Sequence, residues 1–168
     1  MKITVRRAGA ADADELVRLR IVMLEAMDGE PVAPGEWSQR VAASLRRRLP
    51  AADPEATLAA FVVDRPGGEG LAACAVGTIE ERLGSPGNPD GRVGHVFNVA
   101  TDAAWRRRGL STACLDALLA WFTARAVPMV QLTASPDGLP MYERMGFVRH
   151  PHPSLRLRPA RVGGSTGG

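Results

Sequence analysis

The chain has 168 residues, 45% of them hydrophobic, with 21 basic and 18 acidic side chains and a formal net charge of +3. That length suits a single domain with a hydrophobic core, and no apolar run approaches the roughly 18 residues of a membrane span. The positive balance does not indicate a nucleic-acid binder: Lys2 is the only lysine, the arginines are spread among acids, and no aromatic residues interleave with them.

The opening Met1-Lys2-Ile3-Thr4-Val5-Arg6-Arg7 lacks the apolar stretch of a secretory signal, so the cytoplasm is the expected compartment. Residues 3–7 read as a first strand. Asp12, with Glu15 three positions on, has capping-box spacing and opens a helix. Its Leu16, Leu19, Met23 and Met27 fall at helical intervals, which predicts a stripe facing the core. Gly29 ends that helix. A Pro/Gly loop over 30–37 leads to a second, basic-faced helix over 38–49.

Strands are expected at 57–64 and 71–82, joined by the turn Arg65-Pro66-Gly67-Gly68-Glu69-Gly70. The loop over 84–91 is longer than a hairpin needs, a property of mobile or functional loops. The central strand runs over 92–101. A long helix follows over 110–125, with Leu110, Cys114, Leu118 and Trp121 on one face. A fifth strand over 128–134, a short helix over 139–145 closed by Gly146, and a strand over 147–149 come next. Leu155 and Leu157 alternate with Ser154, Arg156 and Arg158 as a half-exposed last strand. The domain is thus expected to span 1–160, with 161–168 a disordered Gly-rich tail. Cys74 and Cys114 lie in apolar segments without metal-ligand spacing and read as reduced core residues.

The most informative stretch is Val96 to Ser111, a strand that passes through a basic turn into the long helix. Such a junction aims several backbone N–H groups at one point, and the helix dipole adds partial positive charge there. It binds phosphate or diphosphate readily. Arg106, Arg107 and Arg108 supply counter-charge, although a solvated basic turn has the same composition. Each dipole interaction contributes only about 0.3–1 kcal/mol when exposed, so several N–H groups must act together. Ser111 and Thr112 could contact the anion or cap the helix.

Arg106-Arg107-Arg108-Gly109-Leu110-Ser111 resembles the acyl-CoA-binding signature of the GNAT superfamily of N-acetyltransferases: Gln or Arg, two residues, Gly, one residue, then Gly or Ala. Ser111 departs from the last position but is small. The order β-α-α-β-β-β-α-β-α-β-β is similar to that fold up to about Pro159. The resemblance implies an α/β architecture with a mixed, mostly antiparallel sheet, helices on both faces and a parallel strand pair that splays apart. It implies that Gly109, Leu110 and their neighbours hold the diphosphate of acetyl-CoA. It further implies that backbone groups of Val99, Ala100 and Thr101 pair with the pantetheine like an added strand. Ser135 stands near the place of an asparagine that contacts the pantetheine in many members.

Tyr142, the only tyrosine, precedes Gly146-Phe147 and looks like the residue that serves as general acid toward the cofactor sulfur in the family. A phenol near pKa 10 can protonate a thiolate near 8.5. The acceptor amine must lose a proton, and Glu80, Glu81, His95 or a water chain could take it. Glu80 and Glu81 face opposite sides of a strand, so at most one sees the cleft. Of these, Glu80 is the expected base. Asn98, polar in an apolar strand, is either a contact for the acceptor or a hydrogen-bonded core amide. Asp28, Glu30 and Glu36 could make a rim attractive to cations.

The expected activity is therefore acetyl transfer from acetyl-CoA to a primary amine of a small molecule or peptide, by direct attack and without a metal, a membrane or nucleic acid. An acyl-CoA sensor without turnover is the alternative. An apolar edge or helix could pair two subunits.

Overall fold

Five strands lie side by side in chain order, β1 to β5, in a single sheet. The computed structural model describes residues 2–49 and 53–159, so the expected tail at 161–168 lies outside them. The strands are β1 (Arg6–Arg7), β2 (Leu58–Asp64), β3 (Leu71–Glu81), β4 (Arg92–Thr101) and β5 (Val130–Leu132). The helices are α1 (Ala13–Asp28), α2 (Glu36–Arg48), α3 (Leu110–Ala124) and α4 (Leu139–Arg144). Neighbours β1 to β4 pair antiparallel, while β4 and β5 run parallel. This is the mixed, mostly antiparallel sheet with one parallel pair that the resemblance implies.

The two faces of the sheet are covered separately. Leu16 and Leu19 of α1 and Ala42 and Leu45 of α2 pack on Leu58, Val62, Cys74 and Val76. Leu110, Leu115, Leu118 and Phe122 of α3 pack on Ala59, Ala73, Ala75 and Val96. Strand β3 is rich in alanine for a geometric reason: α3 lies close against it. At Gly77 and Gly94 a side-chain carbon would come within 2.9 Å of the Phe122 ring, so only glycine lets that ring down onto the sheet.

Several ends differ from expectation. Only Arg6–Arg7 of residues 3–7 pairs with β2. Asp12 does not cap α1; it ends a short 3₁₀ turn, and its carboxylate accepts from the Gly9 N–H at 2.8 Å and from Arg6. Arg6 also bonds Asp64 at 2.7 Å, so one guanidinium ties the short β1 to the end of β2. Gly29 closes α1 in the left-handed conformation, φ 72°. The strands expected at 147–149 and 154–158 do not form. Phe147 packs against the core, and residues 148–159 run as exposed coil, with Leu155 92% and Leu157 85% exposed: alternation alone makes no strand when no neighbouring strand takes its hydrogen bonds. Cys74 and Cys114 are buried and unpaired, on opposite faces of the sheet. No helix among the described residues is long and apolar enough to cross a membrane.

Candidate functional site

The parallel pairing of β4 with β5 spans only three positions, Gly94 with Val130 to Val96 with Leu132. Beyond Val96 the two strands separate, whereas β4 stays paired to β3 as far as Thr101. A β-bulge marks the parting: Val76 faces Asn98 and Gly77 faces Val96, which leaves Phe97 as the extra residue. The bulge increases the local twist and turns the end of β4 away from β5. Since the Asp102 N–H bonds Ala72 of β3, strand alternation turns the backbone groups of Val99 and Thr101 toward the gap.

The gap opens into a cleft of about 740 Å³. Val99, Ala100 and Thr101 form one side, and Arg106, Arg107, Gly109, Leu110, Ser111 and Thr112 form its end. Ser135 and Tyr142 close the other side, and Asn98 lies at the bulge. Arg108 and Glu80, also expected at the site, are elsewhere. Arg108 stacks on Trp105, 4.7 Å from the ring centroid, and donates to the Ala104 carbonyl. Glu80 is held by Arg82 at 2.7 Å, and Arg82 also reaches Gln131. Neither Glu81 nor His95 lines the cleft.

At the turn, Arg107 (φ 62°) and Gly109 (φ 75°) both adopt left-handed conformations, uncommon for arginine. The backbone therefore curls immediately before α3, and Leu110, Ser111 and Thr112 of the first helical turn, where N–H groups lack helical partners, line the cleft beside two arginines. Ser111 does not cap the helix. Its hydroxyl is hydrogen-bonded to that of Thr101, which locks the end of β4 to the first turn of α3. Ser135 is likewise engaged, its hydroxyl accepting from the Gly138 N–H at 3.1 Å.

Tyr142 is 8% exposed and lines the cleft, its ring held edge-on against Phe147 at 5.8 Å. Burial pushes its pKa above the ordinary phenol value, so it carries its proton at neutral pH. Asn98 is 3% exposed; its amide donates to Cys74 Sγ at 3.4 Å. Its oxygen has no protein partner among the described residues.

Sequence reasoning missed part of this lining. Met23, read as core, does pack on the core beneath α1 and α2, but it also lines the cleft together with the exposed Met27 and with Phe97, Asp137 and Arg144. Helical periodicity shows that Met23 and Met27 face inward, but a cleft wall faces inward too. Asp28 and Glu30 are exposed and Glu36 is paired with Arg40 at 2.5 Å; none of the three lines the cleft. No group of three or more metal-ligating side chains occurs among the described residues.

The family model described as Acetyltransferase (GNAT) family matches residues 24–147, a span that includes the bulge, the turn and Tyr142. The chain belongs to the GNAT family. Solved GNAT-like structures agree in fold. A predicted acetyltransferase from Clostridium acetobutylicum, solved with acetyl-CoA, is 23% identical with a TM-score of 0.79, covering 94% of this chain and 96% of that one. A GCN5-related N-acetyltransferase from Ralstonia eutropha JMP134 is 21% identical with a TM-score of 0.77, covering 93% and 99%. Glucosamine-6-phosphate N-acetyltransferase from Arabidopsis thaliana is 15% identical with a TM-score of 0.71, covering 96% and 99%. No curated protein matches the chain in sequence.

Proposed function

We propose that this GNAT protein transfers an acetyl group from acetyl-CoA to a primary amine by direct attack. The reading is carried by one coincidence: the unpaired edge of β4, the left-handed turn before α3 and the buried Tyr142 share a single cleft. The N–H groups at the start of α3, with Arg106 and Arg107, suit a diphosphate. The edge at Val99 to Thr101 suits an amide-bearing arm laid down as an extra strand. When bound, acetyl-CoA supplies an activated acyl group. The amine nitrogen bonds the acyl carbon as the carbon–sulfur bond breaks, and the Tyr142 hydroxyl donates its proton to the departing sulfur. The surplus proton of the amine leaves through water, because Glu80, Glu81 and His95 stand outside the lining.

Binding without turnover is the second reading, and the same absence of those three groups favours it. Calorimetry with acetyl-CoA combined with thiol release across a panel of amines tests both. Heat on binding together with amine-dependent release supports the transferase. Heat without release supports the sensor, and no heat overturns both.

A further inference from the structure

The wall of the cleft farthest from the basic turn is apolar except where Asn98 and Thr133 flank it. Arg18 of α1 reaches Asp102 at 3.4 Å, which fixes that level of the helix beside the end of β4. Met23 and Met27 lie five and nine residues further along α1, about 8 and 14 Å by helical rise. Phe97 is five residues back along β4, about 16 Å by strand rise. Val22, Met23, Ala26, Met27, Phe97 and Leu132 together make this wall. The charged residues of the lining are elsewhere: Arg106 and Arg107 at the turn, Asp137 beside Ser135, and Arg144 on α4.

A substrate with several ammonium groups needs carboxylates to replace the water it loses. Asp137 is the one carboxylate in the lining, and it belongs to the loop between β5 and α4 rather than to this wall. Thioethers, a phenyl ring and aliphatic groups instead reward apolar contact, and methionines adapt their shape to it.

We infer that the acceptor is a primary amine on an apolar alkyl or aryl body, seated against Met23, Met27 and Phe97, and not a polycation. This inference rests on the acetyl-transfer reading and narrows it to a substrate class.

The test measures thiol release by the full chain at saturating acetyl-CoA with n-alkylamines from ethylamine to hexylamine, phenethylamine, spermidine and kanamycin. The alkylamines share nearly one pKa, so their trend reports apolar contact. Apparent kcat/KM should rise about threefold to fourfold per methylene until the wall is covered. Phenethylamine should exceed spermidine at least about tenfold on the same basis. Met27 is 39% exposed, so Met27→Glu is tolerated by the fold. It should flatten the alkyl series and raise the rate with spermidine, with acetyl-CoA binding unchanged by calorimetry.

A flat series, or spermidine or kanamycin as the faster acceptor, overturns the inference and leaves acetyl transfer standing. A preference for octanoyl-CoA over acetyl-CoA with one amine would assign the wall to the acyl chain, and overturns the inference together with acetyl as the group transferred. Heat from acetyl-CoA without release from any amine overturns the inference together with the transfer step. No heat at all overturns the acetyl-transfer reading on which it rests.

Discussion

The Asp102 carboxylate at the end of β4 accepts from the Arg65 guanidinium at 2.5 Å, so the turn between β2 and β3 is tied to the start of the basic turn. Arg18 approaches the same carboxylate while bonding Glu15 and the Leu71 carbonyl. Burial opposes the charge on Asp102, but Arg65, Arg18 and the Ala103 N–H outweigh it and hold the carboxyl below the ordinary range. Asp102→Asn should therefore raise KM for acetyl-CoA severalfold while kcat stays near wild type. The accompanying loss of stability should be about 1–2 kcal/mol. A kcat that falls in proportion would place the effect at the chemistry instead.

Tyr142→Phe keeps the ring packed against Phe147 and removes only the hydroxyl. If the hydroxyl donates to the leaving sulfur, kcat should fall about 10²-fold or more, with acetyl-CoA affinity unchanged by calorimetry. Since burial raises the Tyr142 pKa, the acid form persists through alkaline pH. The rate should accordingly climb up to about pH 10, as the amine loses its proton, and show no earlier decline.

Alkaline stability follows from the two thiols. Burial pushes Cys74 from 9.0 up to about 12, and pushes Cys114 up as well. Above pH 9 the unfolded thiols ionise while the folded ones keep their protons. The unfolded state then binds fewer protons, and stability falls as pH rises from 9 toward 12. The slope is about 1.4 kcal/mol per pH unit for each thiol. Urea midpoints at pH 8 to 11 should fall over this range, and less steeply for Cys74→Ala. A midpoint that holds steady from pH 8 to 11 would contradict the assignment.

Gly77→Ala would drive a methyl to 2.9 Å from Phe122, 3.1 Å from Leu118 and 3.0 Å from the His95 carbonyl. The expected loss is about 1–3 kcal/mol, the usual cost of overfilling a packed core. Combining it with Phe122→Leu should give a loss smaller than the sum of the two single changes, because the shared space is relieved. Simple additivity in chemical denaturation would show that the ring is not the obstacle.

The parts of the site legible in the sequence were those where chemistry and backbone constraint coincide. Gly109, the arginines before it and the long helix after it announce a strand–turn–helix junction, and the single tyrosine before Gly146-Phe147 is conspicuous. What escaped depends on partners distant in the chain. Arg82, two residues on from Glu80, stands on the same strand face and could be read as its partner, but nothing local to Glu80 indicates that it stands outside the cleft. The bulge at Phe97 exists only as a mismatch between β3 and β4. Met23 and Met27 continue a buried helical stripe without a break, so periodicity cannot mark where the core ends and the cleft begins. Leu155 and Leu157 alternate correctly for a strand that has no neighbour to join.

The three-position zipper between β4 and β5 is the only strand pairing that joins the segment from Val130 onward to the sheet among the described residues. A molecule laid along the unpaired half of β4 would act as mortar across that joint. Occupancy should then slow amide hydrogen exchange in β5 and α4 far more than in β2 and β3, making the bound molecule a structural member of the fold.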